Sequence, residues 1–146
     1  LKLSGTETKQ ELVDKLGSMG ADLLVETLPA IINDKLQPSP QSGEPTFTKR
    51  IAKTDGQLDP AKFAIQLERE VRAYAGWPKS YLDMNDLRIV IHRASVSDQK
   101  TPAGKLTVAD KKLYFGCEDS SLEILELQPA GKSKMNAKAF INGYFQ

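Results

Sequence analysis

Residues 45–82, PTFTKRIAKTDGQLDPAKFAIQLEREVRAYAGWPKSYL, contain the signals that decide the fold of this 146-residue chain. The strongest signal is Asp59-Pro60, because Asp is a favoured helix N-cap and Pro suits the first helical position. Gly76 and Pro78 end the helix that this pair begins. The predicted buried face of the helix repeats at helical spacing and consists of Phe63, Leu67, Val71 and Tyr74.

The segment before this helix is predicted to be extended. Residues 46–51, TFTKRI, are rich in β-branched and aromatic side chains, which favour a β-strand. Asp55-Gly56 then predicts a tight turn in which Gly56 supplies the positive φ angle.

The chain after the helix has the pattern of short antiparallel strands. Asn85-Asp86 separates two apolar segments, 81–82 and 87–92, as in a β-hairpin. Further apolar segments separated by polar turns follow at 105–108, 113–117 and 121–127. The predicted fold class is therefore mainly β (α+β), a small open Greek-key barrel of about six strands, similar to an OB fold, with one helix.

The first 33 residues are predicted to be helical. Thr8 and Glu11 form a capping-box sequence, and apolar residues at helical spacing follow, punctuated by Gly17 and Gly20. Two short helices bury too little surface to be stable alone, so they need an apolar partner. Residues 34–45, DKLQPSPQSGEP, have the composition of a linker. The predicted organisation is helices over 1–33, a linker over 34–45 and a barrel domain over 46–146.

Charge is unevenly distributed along the chain. Residues 1–45 contain four Lys and seven Asp or Glu, a net charge of −3, whereas residues 46–146 contain sixteen Lys or Arg and twelve Asp or Glu, a net charge of +4. A basic domain behind an acidic leader is one indication of a polyanionic partner.

Three further features restrict the class of protein to which this chain can belong. A single cysteine excludes an internal disulfide and fits a reducing compartment. Apolar runs stay far below the roughly 20 residues that a transmembrane helix needs. The chain starts with neither Met nor the pattern of a signal peptide, which predicts a piece cut from a longer protein.

The sequence contains no catalytic constellation. His92 is the only histidine and lacks the partner ligands or orienting groups that metal sites and general bases need, so it is predicted to be a partly exposed strand residue. Cys117 lies in an apolar segment and is predicted to be a small buried hydrophobe rather than a nucleophile. The nucleotide-binding and nucleophile motifs are also missing. No catalytic, cofactor-binding or metal-binding residues are therefore predicted in this chain.

Basic residues cluster at three places: the predicted first strand and its exit, the helix, and the segment after Pro129-Ala130-Gly131. Cations beside a glycine that permits close backbone approach are typical of phosphate binding. The alternative is that they form solvated faces, with Glu68 and Glu70 as partners on the helix. The predicted phosphate contacts are Lys49, Arg50, Lys53, Arg72, Lys132 and Lys134.

Trp77 allows two interpretations. A Trp at a helix exit is usually buried, and we predict that Trp77 and Phe63 belong to the core. The alternative is an exposed platform on which a nucleobase stacks.

Four segments resemble the methionyl-tRNA formyltransferase family. Residues 16–28, which begin LGSMGADLL, are similar to the closing helix of its catalytic domain. Residues 48–59 contain TKRI, KTDG and LD, similar to the K-I-x-K-x-D-G-x-I-D-W stretch that opens its C-terminal domain. Residues 72–78, RAYAGWP, resemble its I-R-A-x-x-P-W-P-G-A helix exit, and residues 127–143 begin LQPAGKSKM, similar to its closing L-Q-x-x-G-K-K-x-M. Pro60, Gly76 and Ser133 depart from the family pattern.

The resemblance implies a Rossmann-like catalytic domain followed by a C-terminal barrel. Such an enzyme transfers a formyl group from 10-formyltetrahydrofolate to the amino group of methionyl-tRNA in translation initiation, in the cytoplasm. The catalytic Asn, His and Asp of the family have no counterpart in this chain, which is therefore expected to be inactive alone. Its implied partners are initiator methionyl-tRNA and the missing N-terminal catalytic domain, with no membrane, metal or cofactor of its own.

Two alternatives remain open from the residues. Related formyltransferases that act on sugar nucleotides, or that hydrolyse formyltetrahydrofolate, carry similar C-terminal domains. A non-catalytic interaction module without a nucleic-acid role is also compatible with the net charge of +4 over residues 46–146.

Overall fold

The computed structural model describes residues 1–145. Contacts between residues divide the chain into two units, Leu1–Arg50 and a second unit that begins at Ile51. The first unit contains one helix, and the second contains a sheet with two further helices. Among the described residues, no helix combines the length and the hydropathy needed to cross a lipid bilayer.

A single helix, α1 (Lys9–Ile32), replaces the two short helices predicted for the first unit. The predicted capping box is present, since the Glu11 amide donates to Thr8 Oγ1 at 3.4 Å and the Thr8 amide donates to Glu11 Oε2 at 2.8 Å. Gly17 and Gly20 lie inside the helix. An interior glycine lowers helix stability by only about 1 kcal/mol relative to alanine, which is too little to end the helix. No residue of α1 is buried, and most of its apolar side chains are exposed.

The predicted strand over residues 46–51 is wrong. This segment has no regular secondary structure, and the Phe47 side chain is 91% exposed. The tendency of Thr, Phe and Ile to form strands reflects packing on a neighbouring strand. Within residues 1–145, no strand pairs with this segment.

The predicted turn at Asp55-Gly56 is a short 3₁₀ helix over Lys53–Gly56, and the φ angle of Gly56 is not positive. Glycine is required here for a different reason. A Cβ atom on Gly56 would lie 2.0 Å from the Lys79 carbonyl oxygen. Close backbone approach, and not left-handed geometry, therefore explains this glycine.

Helix α2 (Ala64–Ala73) begins later than Asp59-Pro60 predicts. The Asp59 carboxylate accepts from the Ala61 amide at 3.0 Å, which stabilises a turn rather than a helix. The Ala64 amide instead donates to Asp119 Oδ1 at 2.9 Å, across 55 positions of sequence. This hydrogen bond lowers the pKa of Asp119. The N-terminus of α2 is thus capped by a tertiary contact.

The predicted buried face of α2 is partly confirmed. Leu67 and Val71 are buried, and Tyr74 is half-buried. The core prediction is wrong for Phe63 and Trp77, whose side chains are 57% and 56% exposed. Phe63 is the N-cap, outside the helical repeat, and Trp77 follows Gly76, where a φ angle of 82° turns the chain away from the helix axis.

Six antiparallel strands form one curled, half-barrel sheet, which confirms the predicted fold class. Their order is β1-β2-β5-β4-β3, with β6 paired to β5. Because β2 pairs with β5 while β3, β4 and β5 follow one another, the topology is a Greek key. The strands are β1 (Ser80–Met84), β2 (Leu87–Ser97), β3 (Leu106–Ala109), β4 (Lys112–Gly116), β5 (Ser121–Pro129) and β6 (Met135–Asn136).

Two-residue turns close the hairpins β1–β2 and β3–β4. Asn85 and Asp86 have φ angles of 47° and 64°, and Asp110 and Lys111 have φ angles of 48° and 60°. Two consecutive residues with positive φ are typical of the type I′ turn, whose twist matches that of the strands. The hairpin predicted at Asn85-Asp86 is confirmed.

One buried cluster joins the second unit. It contains Leu67 and Val71 of α2 and Phe140 of a further helix, α3 (Ala137–Tyr144), which the sequence analysis did not predict. The Ala139 amide donates to Asn136 Oδ1 at 2.9 Å, so Asn136 is the N-cap of α3. The sheet contributes Leu82, Ile89, Ile91, Leu113, Phe115, Leu122, Ile124 and Leu127.

His92 and Cys117 lie as predicted. His92 is half-buried on β2, and Cys117 is buried directly after β4. Burial raises the pKa of the Cys117 thiol to about 11. The reactive thiolate is therefore scarce near neutral pH, which fits an apolar packing role.

Two glycine-to-alanine substitutions are expected to have opposite effects on stability. Gly56→Ala places a methyl group against the Lys79 carbonyl and should destabilise the fold by about 1–3 kcal/mol. Gly143→Ala in α3 meets no atom within 4 Å and should stabilise it by up to about 1 kcal/mol. Urea unfolding of both variants measures the difference. A neutral Gly56→Ala would contradict the close approach of these two segments.

Candidate nucleic-acid interface

The six predicted phosphate contacts lie on several elements. Lys49 and Arg50 belong to the first unit, and Lys53 opens the 3₁₀ helix of the second unit. Arg72 lies on α2. Lys132 and Lys134 share the connection between β5 and β6, so the structure brings these two together.

A tight turn presents Lys132. The Lys132 amide donates to the Pro129 carbonyl at 3.0 Å, and Gly131, at the third position of the turn, has a φ angle of 74°. This position requires glycine in a type II turn. The Ala130 amide donates to the Arg88 carbonyl at 2.8 Å, which attaches the turn to β2. We refer to residues 129–132 as the Gly131 turn.

Two side chains hold the Gly131 turn from the sheet. Gln128 Nε2 donates to the Lys132 carbonyl at 2.9 Å, and Gln128 Oε1 lies 3.1 Å from His92 Nε2. With the amide oriented in this way, Oε1 is the acceptor and His92 donates from Nε2. His92 therefore acts as a positioning residue for the turn.

An open groove of about 240 Å³ lies beside the Gly131 turn. Two cations line it, Lys79 and Arg88, together with Val90, Gln128 and the first residues of the turn. Lys79 is held in place by a φ angle of 72° and by its amide, which donates to the Tyr74 carbonyl at 3.0 Å. We refer to this feature as the basic groove.

The prediction from sequence missed both cations of the basic groove. Lys79 follows the Trp-Pro exit of the helix, which is a visible signal in the sequence. Arg88 lies in an ordinary strand pattern and gives no such signal, because only the pairing of β2 with β5 brings it beside the Gly131 turn.

The Arg88 guanidinium is oriented by two neighbours. It donates to both carboxylate oxygens of Asp83, at 2.9 and 3.1 Å, and lies 3.9 Å from the centre of the Tyr81 ring. The hydrogen bond from Arg88 lowers the pKa of Asp83. Both charged side chains are more than 40% exposed, so the pair adds little stability. A phosphate that binds Arg88 would therefore have to share the guanidinium with Asp83.

Lys134 is more strongly engaged within the protein than Lys132. Lys134 Nζ lies 2.5 Å from Glu126 Oε2, and Arg93 approaches the other oxygen at 3.7 Å. The hydrogen bond from Lys134 lowers the pKa of Glu126. Within residues 1–145, the exposed Lys132 ammonium makes no ion pair, so it is available to an external anion.

Arg72 is also paired. Its Nε donates to Glu68 Oε1 at 2.7 Å and a terminal nitrogen donates to Oε2 at 3.0 Å. The two side chains are only 20% and 19% exposed. A phosphate at Arg72 would have to replace this carboxylate.

The lysine and arginine side chains of this surface can bind anions. No three His, Cys, Asp or Glu side chains in the described part of the chain are grouped so that they could hold a metal ion. Lysine and arginine side chains beside a glycine turn suit a phosphate backbone.

Comparison with known families identifies the class of domain. Residues 50–145 match the family model described as formyl transferase, C-terminal domain. A methionyl-tRNA formyltransferase from Pseudoalteromonas translucida is 32% identical over 97% of this chain and 46% of its own length. The methionyl-tRNA formyltransferase of Rickettsia bellii is 36% identical over 94% of this chain and 45% of its own length. The chain thus spans just under half the length of these curated relatives.

Comparison with solved structures supports the fold. A crystal structure of a HypX variant from Aquifex aeolicus superposes with a TM-score of 0.68 at 15% sequence identity. The match covers 99% of this chain and 27% of the HypX chain. At this level of identity the likeness concerns the fold alone.

Gln128→Leu is expected to loosen the Gly131 turn without affecting the sheet. The substitution removes the hydrogen bonds to Lys132 and His92, and one hydrogen bond contributes about 1 kcal/mol. Amide exchange at Lys132 should therefore become about fivefold faster, while exchange at Leu122 in β5 stays unchanged. Hydrogen exchange followed by NMR measures both. Gln99→Leu is the matched control, and unchanged exchange at Lys132 in Gln128→Leu would argue against the role of Gln128.

Proposed function

This chain belongs to the formyl transferase C-terminal domain family, and on that premise we propose that it is the C-terminal, tRNA-binding domain of a methionyl-tRNA formyltransferase. The observation that carries this proposal is the match of nearly the whole chain to curated methionyl-tRNA formyltransferases. The full-length enzyme would transfer formyl from 10-formyltetrahydrofolate to the amino group of initiator methionyl-tRNA. Because translation is the setting of this reaction, we propose the cytoplasm as its compartment.

In this proposal the chain contributes binding and not bond chemistry. A cation surface that grips the tRNA backbone fixes the acceptor end relative to the catalytic domain. Fixing the reacting amine in this way gains rate through orientation. The chain without its catalytic domain would therefore be inactive.

The proposed phosphate contacts are Lys49, Arg50, Lys53, Arg72, Lys132 and Lys134, to which the structure adds Lys79 and Arg88 as candidates. Lys132 has the best support, since it is exposed and its backbone is held by Gln128. Lys79 and Arg88 share the basic groove beside it. Each contact would release condensed counterions from the RNA, so binding should depend on salt.

We also propose that residues 1–33 are the end of the catalytic domain, that residues 34–45 are the linker and that residues 46–146 are the barrel domain. The exposure of α1 supports the first assignment, because no residue of this 24-residue helix is buried. Leu16, Leu24 and Leu28 are each between 45% and 56% exposed. An apolar helix of this kind needs a covering domain.

Neutralising Lys132 in the Gly131 turn together with Lys134 beyond it is expected to weaken tRNA binding and its salt dependence. The double variant Lys132→Gln, Lys134→Gln should lower the slope of log K against log salt by about two, one for each lost phosphate contact. Lys132→Gln alone should account for at least half of the effect, because Lys134 is partly neutralised by Glu126. Titration of the chain with initiator tRNA at several salt concentrations measures both slopes.

The matched control for this experiment is Lys105→Gln, an exposed lysine just before β3, at the other end of the sheet order from β1. It should leave affinity and slope within error of the parent chain. A double variant that binds tRNA with unchanged affinity and slope would refute the proposed role of the turn. Binding that does not depend on salt at all would favour an interaction module instead.

Glu68→Gln tests whether Arg72 contacts the RNA. Removing the carboxylate breaks the ion pair with Arg72, so tRNA affinity should rise several-fold if Arg72 reaches a phosphate. In a second variant, Glu68→Gln with Arg72→Gln, the gain should disappear. Glu70→Gln, which changes the same net charge on the same helix but breaks the ion pair with Lys62 instead, is the control. Equal gains from Glu68→Gln and Glu70→Gln would show a general charge effect and remove Arg72 from the contact set.

A further inference from the structure

Trp77 is a large aromatic side chain placed in solvent by a well-defined backbone. Its side chain is 56% exposed, and burial of an indole would stabilise the fold strongly. Tryptophan is enriched among the residues that carry most of the binding energy at interfaces, so an exposed indole on a fixed backbone is a candidate binding contact.

The backbone on both sides of Trp77 is held in place. Gly76 turns the chain with a φ angle of 82°, and the Lys79 amide donates to the Tyr74 carbonyl at 3.0 Å. Pro78 is buried and packs close to Gly56 in the 3₁₀ helix. A platform that is already ordered loses little conformational entropy when a ligand stacks on it.

A lysine lies close to Trp77 along the chain. Lys79 is two residues away, so the two Cα atoms are at most about 7 Å apart. Lys79 shares the basic groove with Arg88, and the Gly131 turn with Lys132 borders it. An exposed aromatic ring beside cations that suit a phosphate is the arrangement by which proteins bind single-stranded nucleic acid.

We propose that Trp77 and the basic groove form a subsite for one unpaired nucleotide, whose base stacks on the indole while its phosphate lies against Lys79 and Arg88. The base must be unpaired, because a base inside a duplex presents its faces to its neighbours and not to a side chain. This inference rests on the proposed RNA-binding function and adds a specific contact to it.

Trp77 is the only tryptophan of the chain, so its fluorescence reports on the subsite directly. The experiment titrates the chain with a single-stranded adenosine hexanucleotide and, separately, with inorganic polyphosphate, which carries the charge without bases. Stacking predicts that the hexanucleotide quenches the emission at saturation. Polyphosphate should compete for the groove and leave the emission nearly unchanged.

Trp77→Leu is expected to weaken binding of the labelled hexanucleotide about tenfold, as measured by anisotropy, and to leave polyphosphate binding unchanged. The matched control is Phe63→Leu, because Phe63 is equally exposed, at 57%, at the other end of α2. Phe63→Leu should bind both ligands like the parent chain. Urea unfolding of each variant separates a lost contact from a lost fold.

The inference is overturned if Trp77→Leu binds the hexanucleotide as tightly as the parent chain. It is also overturned if the bound hexanucleotide leaves the emission unchanged, because a base stacked on the indole would quench it. Failure of the proposed function looks different, since the chain would then not bind initiator tRNA at low salt, whatever the hexanucleotide does at Trp77.

Discussion

The antiparallel pairing of β2 with β5 is the constraint on which the rest of the second unit depends. These two strands are far apart in sequence, and their register places Ile91 opposite Leu127 and Val90 opposite Gln128. A slip of one residue would turn the buried face of β5 toward solvent. The pairing register shifts on either side of Arg93. These shifts accommodate a change in the spacing of the buried side chains on β5, from two residues at Ile124 to three residues at Leu127. The same pairing decides where the basic groove forms.

The candidate interface is built on the end of this strand pair. Because Gln128 lies opposite Val90, the Gly131 turn that follows β5 lies beside the start of β2, where Arg88 is located. The hydrogen bonds of Gln128 and the Ala130 amide hold the turn against the sheet. The cations are therefore presented by rigid elements, which favours binding because little order has to be gained. The hydrophobic cluster stabilises the scaffold, and in the proposed function the surface would bind the RNA.

The two units use apolar residues differently. In the second unit, Leu67 and Phe140 are completely buried against the sheet. In the first unit, α1 is well capped by Thr8 and Glu11 yet buries none of its apolar residues. Capping is a local interaction that a helix makes by itself, whereas burial needs a second surface. A covering domain would supply that surface.

Local chemistry made part of this protein predictable from sequence. Residues close in sequence determine three features: the hairpin at Asn85-Asp86, the capping box and the β-rich class. The motif at residues 127–143 also indicated the family and Lys132. What only the tertiary structure decided depends on contacts between distant segments. Asp119 sets the start of α2, and residues 46–51 are irregular because no strand among residues 1–145 pairs with them. Tertiary packing also determines that Trp77 is exposed and that Lys79 and Arg88 line one groove. The burial and the neighbours of a side chain depend on how distant segments of the chain pack together.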